Sequence, residues 1–100
     1  MSIIKLSKQM VDPRVSGRTT YKMEHIIYIT IAAVIAGAQS WNDISEFGTE
    51  KFDFFKERLD GLKSIPSHDT FNRFFSIFPA NSFEEIFRNW PSIAQQIFHT

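Results

Sequence analysis

Residues 26–38 constrain this chain more than any other stretch, because thirteen consecutive positions carry no formal charge. Ile26, Ile27, Ile29, Ile31, Val34 and Ile35 do not line one stripe; they make the segment apolar nearly all round. Its β-branched content would also suit a strand, but the run is long, lacks alternation and ends in small residues, which predicts a helix over about 21–38. A helix apolar on every side belongs in the middle of its domain, packed by several neighbours. The run is shorter than the roughly 18–20 residues that cross a bilayer, so a core helix is expected and no membrane span.

The remainder of a 100-residue chain must therefore wrap that helix, within one ordinary domain. Aromatic residues make up 15%, including eleven phenylalanines, enough to build the surrounding core. Ser40 followed by Asp43 resembles a capping box, opening a short helix with Trp41, Ile44 and Phe47 inward. Gly48 is expected to end that helix and Thr49 to cap the next, which carries Phe52, Phe55 and Leu59 over 49–60. After Gly61 and a loop to Pro66, Ser67 is placed as an N-cap. Phe71, Phe74, Phe75 and Phe78 then follow at helical spacing. Pro79 stops this element; Asn81 or Ser82 caps the last one, with Glu84 and Glu85 in its first turn. Phe83, Ile86, Phe87 and Trp90 form its inner face, and Pro91 either kinks or restarts it. Residues 1–20, with Pro13 and Gly17, lack a sustained period and are expected to be a basic arm or loop. The expected fold is all-α: a compact bundle of about five helices over 21–100 behind that arm.

Charge narrows the function classes. Eleven basic and eleven acidic residues cancel, whereas a free-standing nucleic-acid binder usually carries a basic excess. The distribution is uneven: Lys5, Lys8, Arg14, Arg18 and Lys22 outweigh Asp12 and Glu24 near the start, and acidic residues dominate 42–60. The chain has no cysteine, which excludes disulfides and thiolate metal sites and suits a reducing, cytosolic setting.

Enzyme chemistry is poorly supported. Glu46 with Glu50 and Asp53 with Glu57 lie four apart, a spacing that is far more often a solvated helix face than a metal site. His25, His68 and His99 share no metal-ligand spacing, and no phosphate loop or nucleophile elbow occurs. No metal, cofactor or small-molecule substrate is expected.

Nucleic-acid contact has more to recommend it. The helix from Ser67 turns its phenylalanines inward and leaves His68, Asp69, Asn72, Arg73 and Ser76 outside. Asn and Arg are the side chains that read adenine and guanine edges through paired hydrogen bonds, and a recognition helix meets bases with its first turns. His68, Asn72 and Arg73 are the candidate base-edge contacts, and Arg14, Arg18 and Lys22 the candidate phosphate contacts. The helix over 49–60 would support the recognition helix, giving a helix-turn-helix-like pair at about 49–78. Two features oppose this: the 60–67 connection is longer than a strict helix-turn-helix allows, and Asp69 could simply pair with Arg73. Phe54 lies off the main stripe, either buried against a neighbouring helix or exposed as a partner contact.

Several segments together resemble one family. They are Asp12-Pro13-Arg14 with Gly17-Arg18, Ala36-Gly37-Ala38-Gln39-Ser40-Trp41, Asp43-Ile44, Glu46-Phe47-Gly48, Ile65-Pro66-Ser67-His68-Asp69-Thr70-Phe71 with Arg73, and 83–90. In order and spacing these are similar to the N-terminal domain of bacterial insertion-sequence transposases of the H-repeat-associated, Rhs-element type, over about residues 10–90. The resemblance implies an accessory module beside a ribonuclease-H-like core, in which three acidic residues hold two divalent metal ions. The Ile-Asp-Gly-Lys type motif that opens such a core is absent here, so no acidic residue of this chain is expected to be catalytic. The implied partners are the DNA of the element ends and the catalytic core or a second copy, in a bacterial cytoplasm. Three readings stay open at this point: a DNA-binding module, a protein-interaction module for dimerisation or core docking, and a purely structural role for the polar blocks.

Overall fold

The computed structural model describes residues 12–14 and 21–98 and is all-α, with six helices and no strand among the described residues. The side chains of Phe87 and Trp90, and Arg18 with most of the expected arm, lie outside the described set.

Helix α1 spans Met23–Ile35 and occupies the centre, with Ile26, Ile27 and Ile29 fully buried. Its end is set by Gly37, whose φ of 107° only glycine adopts cheaply. That conformation lets the Gly37 and Ala38 N–H groups return to the Val34 and Ala33 carbonyls (3.0 and 2.9 Å), satisfying acceptors the helix would otherwise leave open.

Helix α2, Trp41–Glu50, starts at Ser40, whose Oγ accepts from the Asp43 N–H at 3.1 Å. The Asp43 carboxylate reaches back to the Gln39 N–H at 3.0 Å. Gly48 does not end this helix: it lies inside it and is buried. Its missing side chain is what allows the approach, since a Cβ there would sit 2.7 Å from Ile65 Cγ2 and 3.3 Å from Ile29 Cγ2. Thr49 consequently caps nothing. It is the penultimate residue of α2, and its hydroxyl donates to the Ser45 carbonyl one turn back (3.0 Å). Helix α3 is Phe52–Arg58, shorter than expected, and follows Lys51 with no side-chain cap.

Helix α4, His68–Ser76, buries Phe71 and Phe74. Helix α5, Ala80–Arg88, begins earlier than expected, because the Pro79 carbonyl accepts from the Ser82 and Phe83 N–H groups (3.1 and 3.3 Å). Asn81 and Ser82 are therefore inside it, and Glu84 and Glu85 pair with Arg88 (4.0 and 3.5 Å) instead of sitting in the first turn. Pro91 restarts the chain: α6, Trp90–Phe98, carries it in the first turn, where a missing N–H costs nothing. This restart makes six helices among the described residues where about five were expected.

The supporting partner of α4 also differs from expectation. Helix α1 packs on α2 and α6, and α4 packs mainly on α2 rather than on α3. The loop after Gly61 decides this. Ile65 lies against Gly48, and the Ser45 hydroxyl donates to the Pro66 carbonyl at 2.9 Å, which lays 65–66 across α2 and delivers α4 to it. The pair is thus α2 with α4, and α3 is inserted between them.

Candidate nucleic-acid interface

Ser67 begins α4 in extended conformation (φ −71°, ψ 164°), with its Oγ accepting from the Thr70 N–H at 3.4 Å and lying 3.2 Å from the Thr70 hydroxyl. Phe71, fully buried, and Phe74 anchor the inner face. Phe75 lies flat on Trp41 of α2 and edge-on to Phe78, so the helix is gripped along its length. An element held this way presents its outer face rigidly, which directional contacts to a ligand require.

That outer face carries His68, Asp69, Asn72, Arg73 and Ser76, all exposed. Asp69 meets His68 at 3.4 Å, with both side chains more than half exposed, an arrangement worth little to stability. Among the described residues no ion pair joins Asp69 to Arg73. The Asn72 amide and the Arg73 guanidinium have no hydrogen-bond or ion-pair partner there, and Arg73 contributes only its carbonyl, which accepts from Ser76 Oγ at 2.7 Å.

The proposed phosphate contacts fare differently. Arg14 is already engaged: its Nε and Nη2 donate to both carboxylate oxygens of Asp12 (3.0, 3.3 and 2.8 Å), and its guanidinium lies 5.2 Å from the Phe74 ring centroid. The Arg14 side-chain hydrogen bonds hold the Asp12 carboxyl below its ordinary value. This makes Arg14 a clasp that fastens residues 12–14 to α4, a role its sequence neighbours gave no sign of. Lys22 is exposed just before α1. Phe54 is half-buried: Arg58 stacks over it at 3.8 Å, and Phe98 of α6 lies parallel at 6.3 Å. No cluster of acidic and histidine side chains suited to a metal ion occurs among the described residues. No helix of the described residues is long and apolar enough to cross a membrane.

Residues 5–91 match the model of the DDE_Tnp_1-associated family. The chain belongs to that family. The domain is the non-catalytic, associated part of insertion-sequence transposases. It is 44% identical over 77 residues to the "H repeat-associated putative transposase YhhI" of Escherichia coli K12, covering 73% of this chain and 20% of that protein. It is 42% identical over 65 residues to the inactive transposase YbfQ of the same organism, covering 65% of this chain and 77% of that protein. An uncharacterized protein of Xanthobacter autotrophicus is 34% identical over 85 residues, covering 84% of this chain and 29% of that protein. The chain spans about a fifth to a quarter of the length of the most similar curated relatives. No solved structure matches it.

Proposed function

We propose that this transposase-associated domain binds DNA, helping the transposase recognise or hold the ends of its element. The observation that carries this is the outer face of α4, where Asn72 and Arg73 have no side-chain partner among the described residues, on a helix held rigid by Phe71, Phe74 and the Trp41–Phe75 stack. Such side chains can form paired hydrogen bonds with base edges in a major groove. His68, in the first turn, would contribute an edge or backbone contact, and Lys22 and Arg18 would contact phosphates. Arg14 leaves that list, because its charge is matched by Asp12. With formal charge near zero, most non-specific affinity would come from elsewhere in a longer transposase, and this domain would supply discrimination.

The test is binding to the terminal DNA of its own element beside scrambled DNA, over a series of salt concentrations. Arg73→Ala should weaken cognate binding by about 1–3 kcal/mol and leave scrambled binding nearly unchanged. Equal loss on both DNAs would reassign Arg73 to a phosphate, and no loss would remove it from the interface.

A second reading, a protein-interaction module, is favoured by one observation. An open apolar groove of about 530 Å³ runs between Val34, Trp41, Ile44, Phe75 and Phe83. It would take a segment of the catalytic core or a second copy. A strict monomer by sedimentation at high concentration would exclude self-association through this groove.

A further inference from the structure

On the start of α1 the chain forms a cleft of about 370 Å³, lined by Tyr21, Lys22 and His25 on one side and by residues 61–64 on the other. Gly61 lets the turn pass close beneath Lys22: its φ is 82°, and Lys22 Nζ stands 3.8 Å from the point a Cβ on residue 61 would occupy. Lys63 is a second lysine in the wall of the same cleft. The Tyr21 and Ser64 hydroxyls, 3.1 Å apart, bridge its two walls and keep hydrogen-bonding capacity to spare. His25 lines it too, although only 5% of that residue is exposed. One hydrogen bond ties His25 to the Asp60 backbone, and its other ring nitrogen has no protein partner among the described residues. A buried polar side chain of this kind normally has its hydrogen-bonding groups satisfied, and His25 lies in the wall of the cleft, which points to a ligand there.

We propose that this cleft binds a phosphate group, held by the ammonium groups of Lys22 and Lys63, the Tyr21 and Ser64 hydroxyls, and His25 beneath them. Among the described residues the lining offers two lysines, two hydroxyls and an imidazole beside Gly61 and Leu62, and no carboxylate; Glu24 and Asp60 stand close to His25 but do not line the cleft. The groups that bear on the imidazole are therefore Lys22, Glu24 and Asp60, with Tyr21 and Lys63 completing the cleft. Burial keeps His25 neutral at pH 7, and a bound oxyanion would favour its protonated form, giving the second nitrogen a proton to donate. The phosphate could belong to a DNA backbone or to a free phosphate-bearing molecule. The site does not require that α4 reads bases.

The experiment is an NMR titration of the 100-residue chain with inorganic phosphate at pH 7, observing the His25 ring and the amides of 61–64. Saturable shifts confined to these groups, with affinity reduced at least fivefold in Lys63→Gln, are expected. Lys63 is exposed, so this variant should keep the fold. Shifts spread over all lysines, or unchanged affinity in Lys63→Gln, would overturn the proposal. Sulfate, whose charge is constant from pH 5.5 to 7.5, should bind more tightly at the lower pH, and a flat profile would overturn the part assigned to His25. A competing duplex separates the two sources. Displacement of phosphate from the cleft by DNA identifies a backbone contact. Saturable phosphate binding by a chain that binds no duplex supports a free phosphate ligand, and leaves the cleft standing while the DNA-binding function falls.

Discussion

The indole of Trp41 lies flat on the phenyl ring of Phe75, with centroids 5.6 Å apart and planes within 9° of parallel. One residue opens α2 and the other lies in α4, so this stack sets how the candidate recognition helix sits on its neighbour. Both rings are only half-buried, and their value lies as much in orientation as in area. Trp41→Ala should lower stability by about 2 kcal/mol, less than a fully buried tryptophan would cost. Urea unfolding would measure it, and a loss below about 0.5 kcal/mol would show that the stack is ornamental to the α2–α4 contact.

Gly48→Ala separates helix propensity from packing. In an open helix the change would stabilise by about 1 kcal/mol. Here the new methyl group would meet Ile65 Cγ2 at 2.7 Å, and that atom branches directly from a Cβ and cannot swing aside. Overpacking of this sort costs about 1–3 kcal/mol, so a net destabilisation is expected. A rise in melting temperature would mean that the 65–66 loop yields freely, and that it does not lock α4 onto α2.

Arg14→Ala should cost about 1–2 kcal/mol through loss of the Asp12 pairing and the contact with Phe74. Arg14→Lys should recover only part of this, because an ammonium group cannot reproduce the two-pronged geometry. If DNA binding is present, its salt slope should not change in either variant, since this charge is already matched. A slope reduced by about one unit would return Arg14 to the phosphate contacts.

His25 supplies a pH dependence. Burial lowers its pKa from the ordinary 6.5, with the Lys22 charge acting in the same direction and Glu24 and the Asp60 hydrogen bond opposing. The unfolded chain therefore binds a proton at a higher pH than the folded one. Stability is fully present above about 6.5 and declines as pH falls from there through the lower folded value. Melting temperatures from pH 7.5 to 5.5 should fall accordingly, and the His25 ring should titrate below 6.5 by NMR. A ring that titrates above 6.5 would refute the assignment. Asp12 adds a separate step, with stability lost below about pH 4 as its Arg14-held carboxyl is protonated.

Much of this protein was legible in local pattern. The unbroken apolar run of 26–38 required a central helix, because its surface can be removed from water only by neighbours on several sides. The 71, 74, 75 and 78 spacing required a helix with its polar face outward, and the hydroxyls of Ser40 and Ser67 announced where two helices start. Block order and spacing were also enough to suggest the family. All of these follow from interactions spanning four residues or from burial alone, which the order of side chains encodes directly.

Tertiary contacts decided the rest. Gly48 looked like a helix terminator because glycine is a poor helix former, yet α2 runs through it since Ile29 and Ile65 need the space a side chain would take. Thr49 lost its expected role with that terminator. Arg14 looked like a surface cation until Asp12 and Phe74, the latter sixty residues away, claimed it. Which helix braces α4, and which polar residues meet across the cleft beneath Lys22, depended on where the 61–66 loop returned. Such pairings join residues far apart in the chain, and their free energies come from shape and charge meeting in space, which no local period records.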